Sequence, residues 1–184
     1  MQNMRKASDE QKNKTDNASA DVRSPDGSAS WLYSSEVRDH FFNPRNFVAY
    51  DPKENEFDAH ASAGSPACGD EMHVWLNIDS KTKIIKQFRW RTFGCASAIA
   101  STSMLSVMVT ENSGMTLDEA RAVRPQHILE RLGGLPARKI HCSVLSDRAM
   151  RNAINDYYKK IGENDKIVPE AGGVVCPNNA NHAR

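Results

Sequence analysis

The sequence predicts an α+β fold in which helices pack on one face of a small antiparallel β-sheet. Apolar residues alternate with polar ones over residues 72–78, and a turn and a second alternating segment follow, which is typical of a hairpin. From residue 96 onward the apolar spacing becomes helical instead. Because the strands come first and the helices second, we expect the helices to cover one face of the sheet.

The first element is a short helix. It follows an aromatic anchor at Trp31 and is expected to be capped by Ser34 or Ser35. The helix should end near Pro44, because the residue before a proline disfavours helical backbone. Order in the chain is therefore predicted to begin at about residue 31.

Two strands are predicted next. The buried face of the first strand carries Met72, Val74, Leu76 and Ile78. Residues 79–81 form the turn, and one face of the second strand carries Phe88, Trp90 and Thr92. Cys95 lies at the end of this hairpin, and Cys68 is expected in a loop before it.

Four helices complete the predicted domain. The first starts at Cys95, and a capping box of Thr116 and Glu119 opens the second, which ends at Arg124. Pro125 opens the third, which the glycines at 133 and 134 stop. The last helix follows the third thiol and buries one stripe formed by Met150, Ile154, Tyr157 and Ile161.

Composition excludes several classes of partner. The 24 basic and 23 acidic residues give a net charge of +1, so no strong field attracts nucleic acid or an anionic membrane surface. No apolar run reaches the roughly 18 residues of a membrane span, and the N-terminus lacks a secretory signal core. We expect a cytoplasmic protein, or a mitochondrial-matrix one in a eukaryote, although the acidic residues near the N-terminus do not resemble a transit peptide.

The chain is expected to hold one domain between two tails. Residues 1–30 carry five basic and five acidic side chains with few apolar ones, so we predict a disordered N-terminal tail. Residues 31–161 form the domain, and residues 162–184 form a flexible C-terminal tail that contains Cys176. Cys176 is expected to be a loose thiol rather than a ligand.

Three cysteines stand in local sequences that suit metal or sulfur chemistry. Cys68 is followed by a glycine and Asp70, Cys95 follows a glycine, and His141 precedes Cys142. Thiolates beside an aspartate and a histidine offer soft and harder ligands together, which suits iron or zinc. No CxxC spacing is present, so the fold must assemble the site. The remaining histidines before the tail stand in no ligand pattern and are expected at the surface or in packing: His40, His60, His73 and His127.

At these segments the chain resembles the iron–sulfur cluster assembly scaffold family, which comprises the IscU proteins and the N-terminal domain of NifU. The resemblance runs from about Tyr33 to Tyr158. Several motifs occur in the family order: Phe42-Asn43-Pro44-Arg45-Asn46, Pro66-Ala67-Cys68-Gly69-Asp70, Phe93-Gly94-Cys95-Ala96-Ser97-Ala98-Ile99-Ala100-Ser101, Leu117-Asp118-Glu119-Ala120 and Lys139-Ile140-His141-Cys142-Ser143.

The resemblance implies that Cys68, Cys95 and Cys142 converge to hold a transient [2Fe-2S] cluster, with Asp70 or His141 as the fourth ligand. Iron and sulfide are then the cargo, and the cluster-free site can also accept zinc. By similarity a pyridoxal-phosphate cysteine desulfurase supplies sulfur as a persulfide to Cys142. Asp70 resembles the family aspartate that keeps the cluster transferable.

The resemblance also implies partners. Ferredoxin and apo iron–sulfur proteins are expected, together with Hsp70 and J-type chaperones that recognise Leu135, Pro136 and Lys139. The family motif reads Leu-Pro-Pro, any residue, Lys, so Ala137 departs from it and weakens the chaperone prediction. Ala96 replaces a family glycine, and Lys139 is expected to position sulfur or keep Cys142 ionised.

The residues leave two alternatives to a non-enzymatic scaffold. One is a zinc-dependent sulfurtransferase of the SufU kind, whose members carry a longer insertion between the second and third cysteines and lack a histidine before the third. His141 and the modest spacer here favour the scaffold. The other is a zinc-stabilised interaction module without sulfur traffic.

Overall fold

The computed structural model of the protein describes residues 22–23, 30–31, 33–53, 55–65, 69–136 and 139–169. Two short strands, β1 (Val22–Arg23) and β2 (Ser30–Trp31), pair antiparallel ahead of the domain. Most of residues 1–30 and of residues 162–184 lies outside the described residues. Disorder of the N-terminal tail and flexibility of the C-terminal tail therefore stay predictions.

Helix α1 (Ser35–Phe42) forms as its capping residues predict. The Ser34 side chain accepts the backbone N–H of Val37, which confirms Ser34 as the N-cap. After the helix the chain passes along the edge of the sheet, where Val48 N–H donates to the Trp90 carbonyl at 2.9 Å. The N-terminal helix is thereby joined to the last strand.

The sheet contains β3 (Ala59–Ser65), β4 (Asp70–Ile78) and β5 (Ile85–Phe93), all antiparallel in the order β3-β4-β5. Both predicted strands are confirmed. Strand β3 was not predicted. The loop expected before the hairpin is therefore wrong in part, because β3 occupies much of that segment. The face of β3 toward the core is built from small residues, Ala59, Ala61 and Ala63, and alanine has weak strand propensity.

The core lies on one face of this sheet. The predicted inward residues of β4 are all buried, namely Met72, Val74, Leu76 and Ile78. Phe88 and Trp90 extend the same buried surface on β5, and helices lie against it. The α+β prediction is thus confirmed in the order of elements and in the antiparallel sheet.

Four helices follow the sheet: α2 (Ala96–Thr110), α3 (Leu117–Ala122), α4 (Pro125–Arg131) and α5 (His141–Lys160). The capping box of Thr116 and Glu119 is present, with Glu119 N–H 3.3 Å from Thr116 Oγ1. In the last helix Met150, Ile154 and Tyr157 are buried as predicted. Ile161 is exposed instead, because it lies at the C-cap, where the helix ends.

Helix α5 runs antiparallel to β3, which decides where its first turn lies. Asp156 Oδ2 accepts the backbone N–H of His60 at 3.0 Å, and Lys160 Nζ donates to the backbone carbonyl of Asp58 at 3.2 Å. The C-terminal end of α5 therefore lies beside the start of β3. At about 1.5 Å per helical residue and about 3.3 Å per strand residue, the helix start and the strand end are about level.

Candidate functional site

The candidate site lies at the end of the sheet where β3 ends, β4 begins and β5 ends. Ser65 pairs with Asp70 across β3 and β4, and Glu71 pairs with Phe93 across β4 and β5. These two pairings place the last residues of β3 and β5 on either side of Asp70. The segment Gly94–Cys95 continues directly from this edge into α2.

Asp70 and Gly94 are in close contact at this end. A Cβ added at Gly94 would lie 3.2 Å from the carboxyl carbon of Asp70, 3.2 Å from Ala98 Cβ and 3.1 Å from Thr92 Oγ1. All three distances are shorter than ordinary van der Waals contact, so a side chain at position 94 requires these neighbours to shift. The glycine thus allows the Asp70 carboxyl to reach the start of α2, next to Cys95.

Cys95 is the N-cap of α2 and is half-buried. Its backbone is extended, with φ −74° and ψ 168°, and its carbonyl accepts the Ile99 N–H at 3.1 Å. The first turn of α2 carries no acidic side chain. Unpaired N–H groups and the helix dipole at such a position favour a negatively charged ligand or thiolate.

Cys142 lies in the first turn of α5, preceded by His141 as the first helical residue. The predicted start after Cys142 is therefore off by two residues. Because α5 runs antiparallel to β3, this first turn lies at the same end of the domain as Ser65 and Asp70. The side chains of His141 and Cys142 are outside the described part of the structure.

Cys68 lies outside the described residues. The residues that flank this gap belong to one hairpin, since Ser65 pairs with Asp70. Gly69, the first described residue after the gap, has φ +70°, a left-handed conformation that favours glycine. The ligand role predicted for Cys68 stays a prediction, as do those of Asp70, Cys95, His141 and Cys142.

The predicted chaperone-binding segment precedes α5. Leu135 is partly buried against the core, and Lys139 N–H donates to the Pro136 carbonyl at 2.7 Å. Residues 137 and 138 lie outside the described residues. Since Lys139 is two residues before α5, its backbone lies at the same end of the domain as the candidate site.

Apolar surface flanks the candidate site. Phe93, at the end of β5, and Ile140, just before α5, are both exposed. The guanidinium of Arg91 lies over the Phe93 ring, 5.5 Å from its centroid, and also contacts Asp51 Oδ1 at 2.6 Å.

No group of three or more His, Cys, Asp or Glu side chains within the described ranges is arranged to hold a metal ion. Of the three thiols in the site motifs, only Cys95 has a described side chain. Sequence reasoning missed the fit of Asp70 against Gly94. The glycine before Cys95 was visible, but its partner is 24 residues away along the chain, so only the strand register reveals the contact.

The fold and the site together define a class: small α+β domains that carry cysteine, aspartate and histidine positions at one end of a three-stranded sheet. The family model described as NifU-like N terminal domain matches residues 32–164. The chain therefore belongs to the NifU-like N-terminal domain family, as its motifs predicted.

Two relatives and one solved structure illustrate the match. The chain is 42% identical over 136 residues to "Iron-sulfur cluster assembly scaffold protein IscU 1" of Archaeoglobus fulgidus, which covers 74% of this chain and 83% of that protein. It is 41% identical over 128 residues to "Iron-sulfur cluster assembly scaffold protein IscU" of Escherichia coli K12, covering 70% and 95%.

The solved structure is that of a nitrogen-fixing NifU-like protein (N-terminal) from Brucella abortus. It superposes with a TM-score of 0.52 at 21% identity and covers 69% of this chain and 94% of that one. This likeness shows the fold. Across the described part of the chain, no helix combines the length and apolar character that crossing a bilayer requires.

Proposed function

We propose that this protein is a scaffold on which a transient [2Fe-2S] cluster is assembled and from which it is passed to apo-proteins. The observation that carries the proposal is the contact between Asp70 and Gly94, which brings a carboxylate to the helix start that carries Cys95. The antiparallel course of α5 adds the backbone of Cys142 to the same end. The names of the two relatives support the same function.

The proposed ligands are the thiolates of Cys68, Cys95 and Cys142, with Asp70 or His141 completing the set. Thiolates are the usual ligands of iron–sulfur clusters. A carboxylate or imidazole is a harder ligand, and it gives the cluster one corner that exchanges more readily. Such a corner suits a cluster that is cargo and has to leave.

Sulfur is proposed to arrive from a cysteine desulfurase as a persulfide. The Cys142 thiolate attacks the terminal sulfur of the donor persulfide, so a new S–S bond forms on Cys142 while the donor cysteine leaves as a thiolate. The helix N-terminus around Cys142 favours the attacking anion. Lys139 lies three residues before it and adds a positive charge nearby.

Electrons must balance in the assembly step. Each persulfide sulfur takes up two electrons to become sulfide, so two sulfurs need four. Two ferrous ions supply two of these on becoming ferric in the cluster. A one-electron donor of the ferredoxin class is therefore proposed to supply the other two.

Delivery is proposed to involve the segment before α5. Leu135, Pro136 and Lys139 are proposed to bind an Hsp70-type chaperone with its J-type partner. Because this segment leads directly into the first turn of α5, a chaperone bound there acts on the backbone next to Cys142. The exposed ring of Phe93 provides apolar surface on which a donor or acceptor protein can dock.

The test is anaerobic reconstitution with iron, cysteine and a cysteine desulfurase, followed by the visible absorption spectrum. The full chain should gain the charge-transfer bands of a [2Fe-2S] cluster. Cys68→Ser, Cys95→Ser and Cys142→Ser should each lose most of that absorbance, whereas Cys176→Ser, the matched control in the tail, should keep it. Normal loading in any one of the first three would contradict the ligand set.

The same experiment separates the scaffold from the two alternatives. A zinc-dependent sulfurtransferase would accept sulfur and pass it on without building a cluster. A structural zinc module would take up neither sulfur nor iron. Bound zinc in the purified protein would not decide between them, because thiolate sites of this kind also accept zinc.

A further inference from the structure

The outer face of the sheet carries two histidines that the strand pairing brings together. His60 on β3 lies opposite Trp75 on β4, and Ser62 lies opposite His73, so the two histidines are diagonal neighbours on one face. They are 13 residues apart in sequence, a separation that does not by itself indicate a metal site. Both stand on the sheet face opposite Met72, Val74, Leu76 and Ile78, on the same face as Trp75.

The two imidazole rings face each other through nitrogen atoms. His60 Nε2 lies 3.3 Å from His73 Nδ1, and the ring planes differ by only 7°. The indole of Trp75 supports the pair, because it stacks on the His60 ring at 4.7 Å between centroids and 11° between planes. The Trp75 indole therefore packs against one of the two facing rings.

A carboxylate determines which nitrogens are available. His73 Nε2 lies 3.1 Å from Glu71 Oε1, so this nitrogen carries the proton and donates to the carboxylate. In the neutral ring Nδ1 then holds a lone pair, and Nδ1 is the atom that faces His60. Histidines that bind a metal through one ring nitrogen usually donate the N–H of the other nitrogen to such a carboxylate, a backbone carbonyl or water, which orients the ring.

The separation of the facing nitrogens matches a shared metal ion. Two imidazole nitrogens that each bind a tetrahedral Zn²⁺ at about 2.0–2.1 Å are about 3.3 Å apart. The torsion that turns a histidine ring about its Cβ–Cγ bond is broad, so both rings can rotate to direct their lone pairs at one ion. His60 is exposed and His73 is partly exposed, so an ion can reach the pair from solvent.

We propose that His60 Nε2 and His73 Nδ1 bind one divalent transition-metal cation of the Zn²⁺ class, with Glu71 as the positioning residue. Water completes the coordination, since the described side chains offer no third ligand. The ion joins β3 to β4 on the outer face. Bound there, it stabilises the hairpin that connects these strands, next to Asp70.

This ion is separate from the candidate cluster site. His73 is three residues along β4 from Asp70, which is about 10 Å at the usual rise of a strand. Each cation near the pair is matched by a carboxylate: Lys160 contacts Asp156, which also accepts the backbone N–H of His60, and Arg91, which pairs with His73 across the strands, contacts Asp51. The inference therefore does not depend on the proposed scaffold function.

The test is a Zn²⁺ titration of the full chain, followed by the ¹⁵N resonances of the imidazole nitrogens. The thiol site is expected to take up the first equivalent. Further Zn²⁺ should shift the ¹⁵N resonances of His60 Nε2 and His73 Nδ1 together. The other nitrogen of each ring should not shift. His127, an exposed histidine on α4, is the internal control and should not move with them.

Variants make the result decisive. His60→Asn should abolish the Zn²⁺-dependent shift at His73, and His73→Asn should abolish the one at His60. Glu71→Ala should weaken binding by about 10- to 100-fold, the usual cost of removing such an orienting carboxylate. His127→Asn should change nothing. If the ¹⁵N resonances of both rings stay unchanged in saturating Zn²⁺, the pair shares only a hydrogen bond and the proposal is wrong. The proposal is also wrong if one ring shows the same shift after the other histidine has been replaced.

Discussion

The backbone of Gly94 passes so close to Asp70 that a Cβ at position 94 would lie 3.2 Å from the carboxyl carbon. The other two neighbours of that position are equally near and poorly able to move. Ala98 belongs to the first turn of α2, and Thr92 Oγ1 donates to the Glu71 carbonyl at 2.6 Å. A Cβ at position 94 would therefore push against the contact between Asp70 and the start of α2.

Replacing this glycine should damage both stability and the site. Gly94→Ala forces a methyl group into a closely packed position, so we expect a loss of about 1–3 kcal/mol in the free energy of unfolding. Asp70 should also be displaced, which lowers cluster yield in reconstitution. Urea unfolding gives the first quantity and the visible spectrum gives the second.

Gly64→Ala is the matched control. A Cβ at this exposed position of β3 meets only the Asp70 carbonyl oxygen, at 4.0 Å. Stability should change by no more than about 1 kcal/mol, and cluster yield should be unchanged. Equal losses in both variants would show that the contact of Gly94 with Asp70 has no special importance.

Asp70 itself should govern how readily the cluster leaves. In Asp70→Ala the exchangeable corner is removed, so the assembled cluster should persist longer and transfer more slowly to an apo-ferredoxin. The measurement is the decay of donor absorbance after mixing with the acceptor. Asp118→Ala, an exposed carboxylate on α3, should transfer as the unchanged protein does. Unchanged transfer from Asp70→Ala would refute the role assigned to this residue.

Cys142 should be the sulfur acceptor. After incubation with a cysteine desulfurase and cysteine but no iron, mass spectrometry should find one added sulfur mainly on the peptide containing Cys142. Cys176 provides the internal control, since it lies in the tail and should carry little. Labelling spread evenly over both peptides, or absent from the chain, would instead support a structural role for the thiols.

His40 should make stability depend on pH. This buried ring contacts Ser103 Oγ through Nδ1 at 2.7 Å, and that hydroxyl also accepts the Arg45 N–H at 2.9 Å. Burial, and then the positive charge of Arg45, lower the pKa of His40 below its ordinary value of about 6.5. The unfolded chain therefore binds a proton at higher pH than the folded chain does.

Stability contributed by the neutral ring is present above pH about 6.5 and is lost as the pH falls toward the folded pKa. The slope from one such group is at most about 1.4 kcal/mol per pH unit. Urea unfolding between pH 7.5 and pH 5, roughly, should show a steeper loss in the unchanged protein than in His40→Gln. His127→Gln, at an exposed position, should keep the original slope. Parallel curves for all three proteins would exclude His40 as the cause.

Local features of the sequence determined most helices and two of the three strands of the sheet. The alternation over residues 72–78, the capping box of Thr116 and Glu119 and the proline at 125 all act within a few residues, so they are readable without the fold. The family and the order of its motifs followed from the same short segments. Strand β3 was not predicted, because the alanines on its inner face have little preference for strands.

Tertiary structure alone decided which distant residues meet. The register of β4 against β5 sets Asp70 beside Gly94, and the course of α5 against β3 brings the backbone of Cys142 to the same end. Strand pairing likewise joins His60 to His73, two residues that the sequence left without a ligand pattern. The physical reason is that a chain's local preferences set each element, whereas contacts between elements depend on register and packing direction, which no short segment contains.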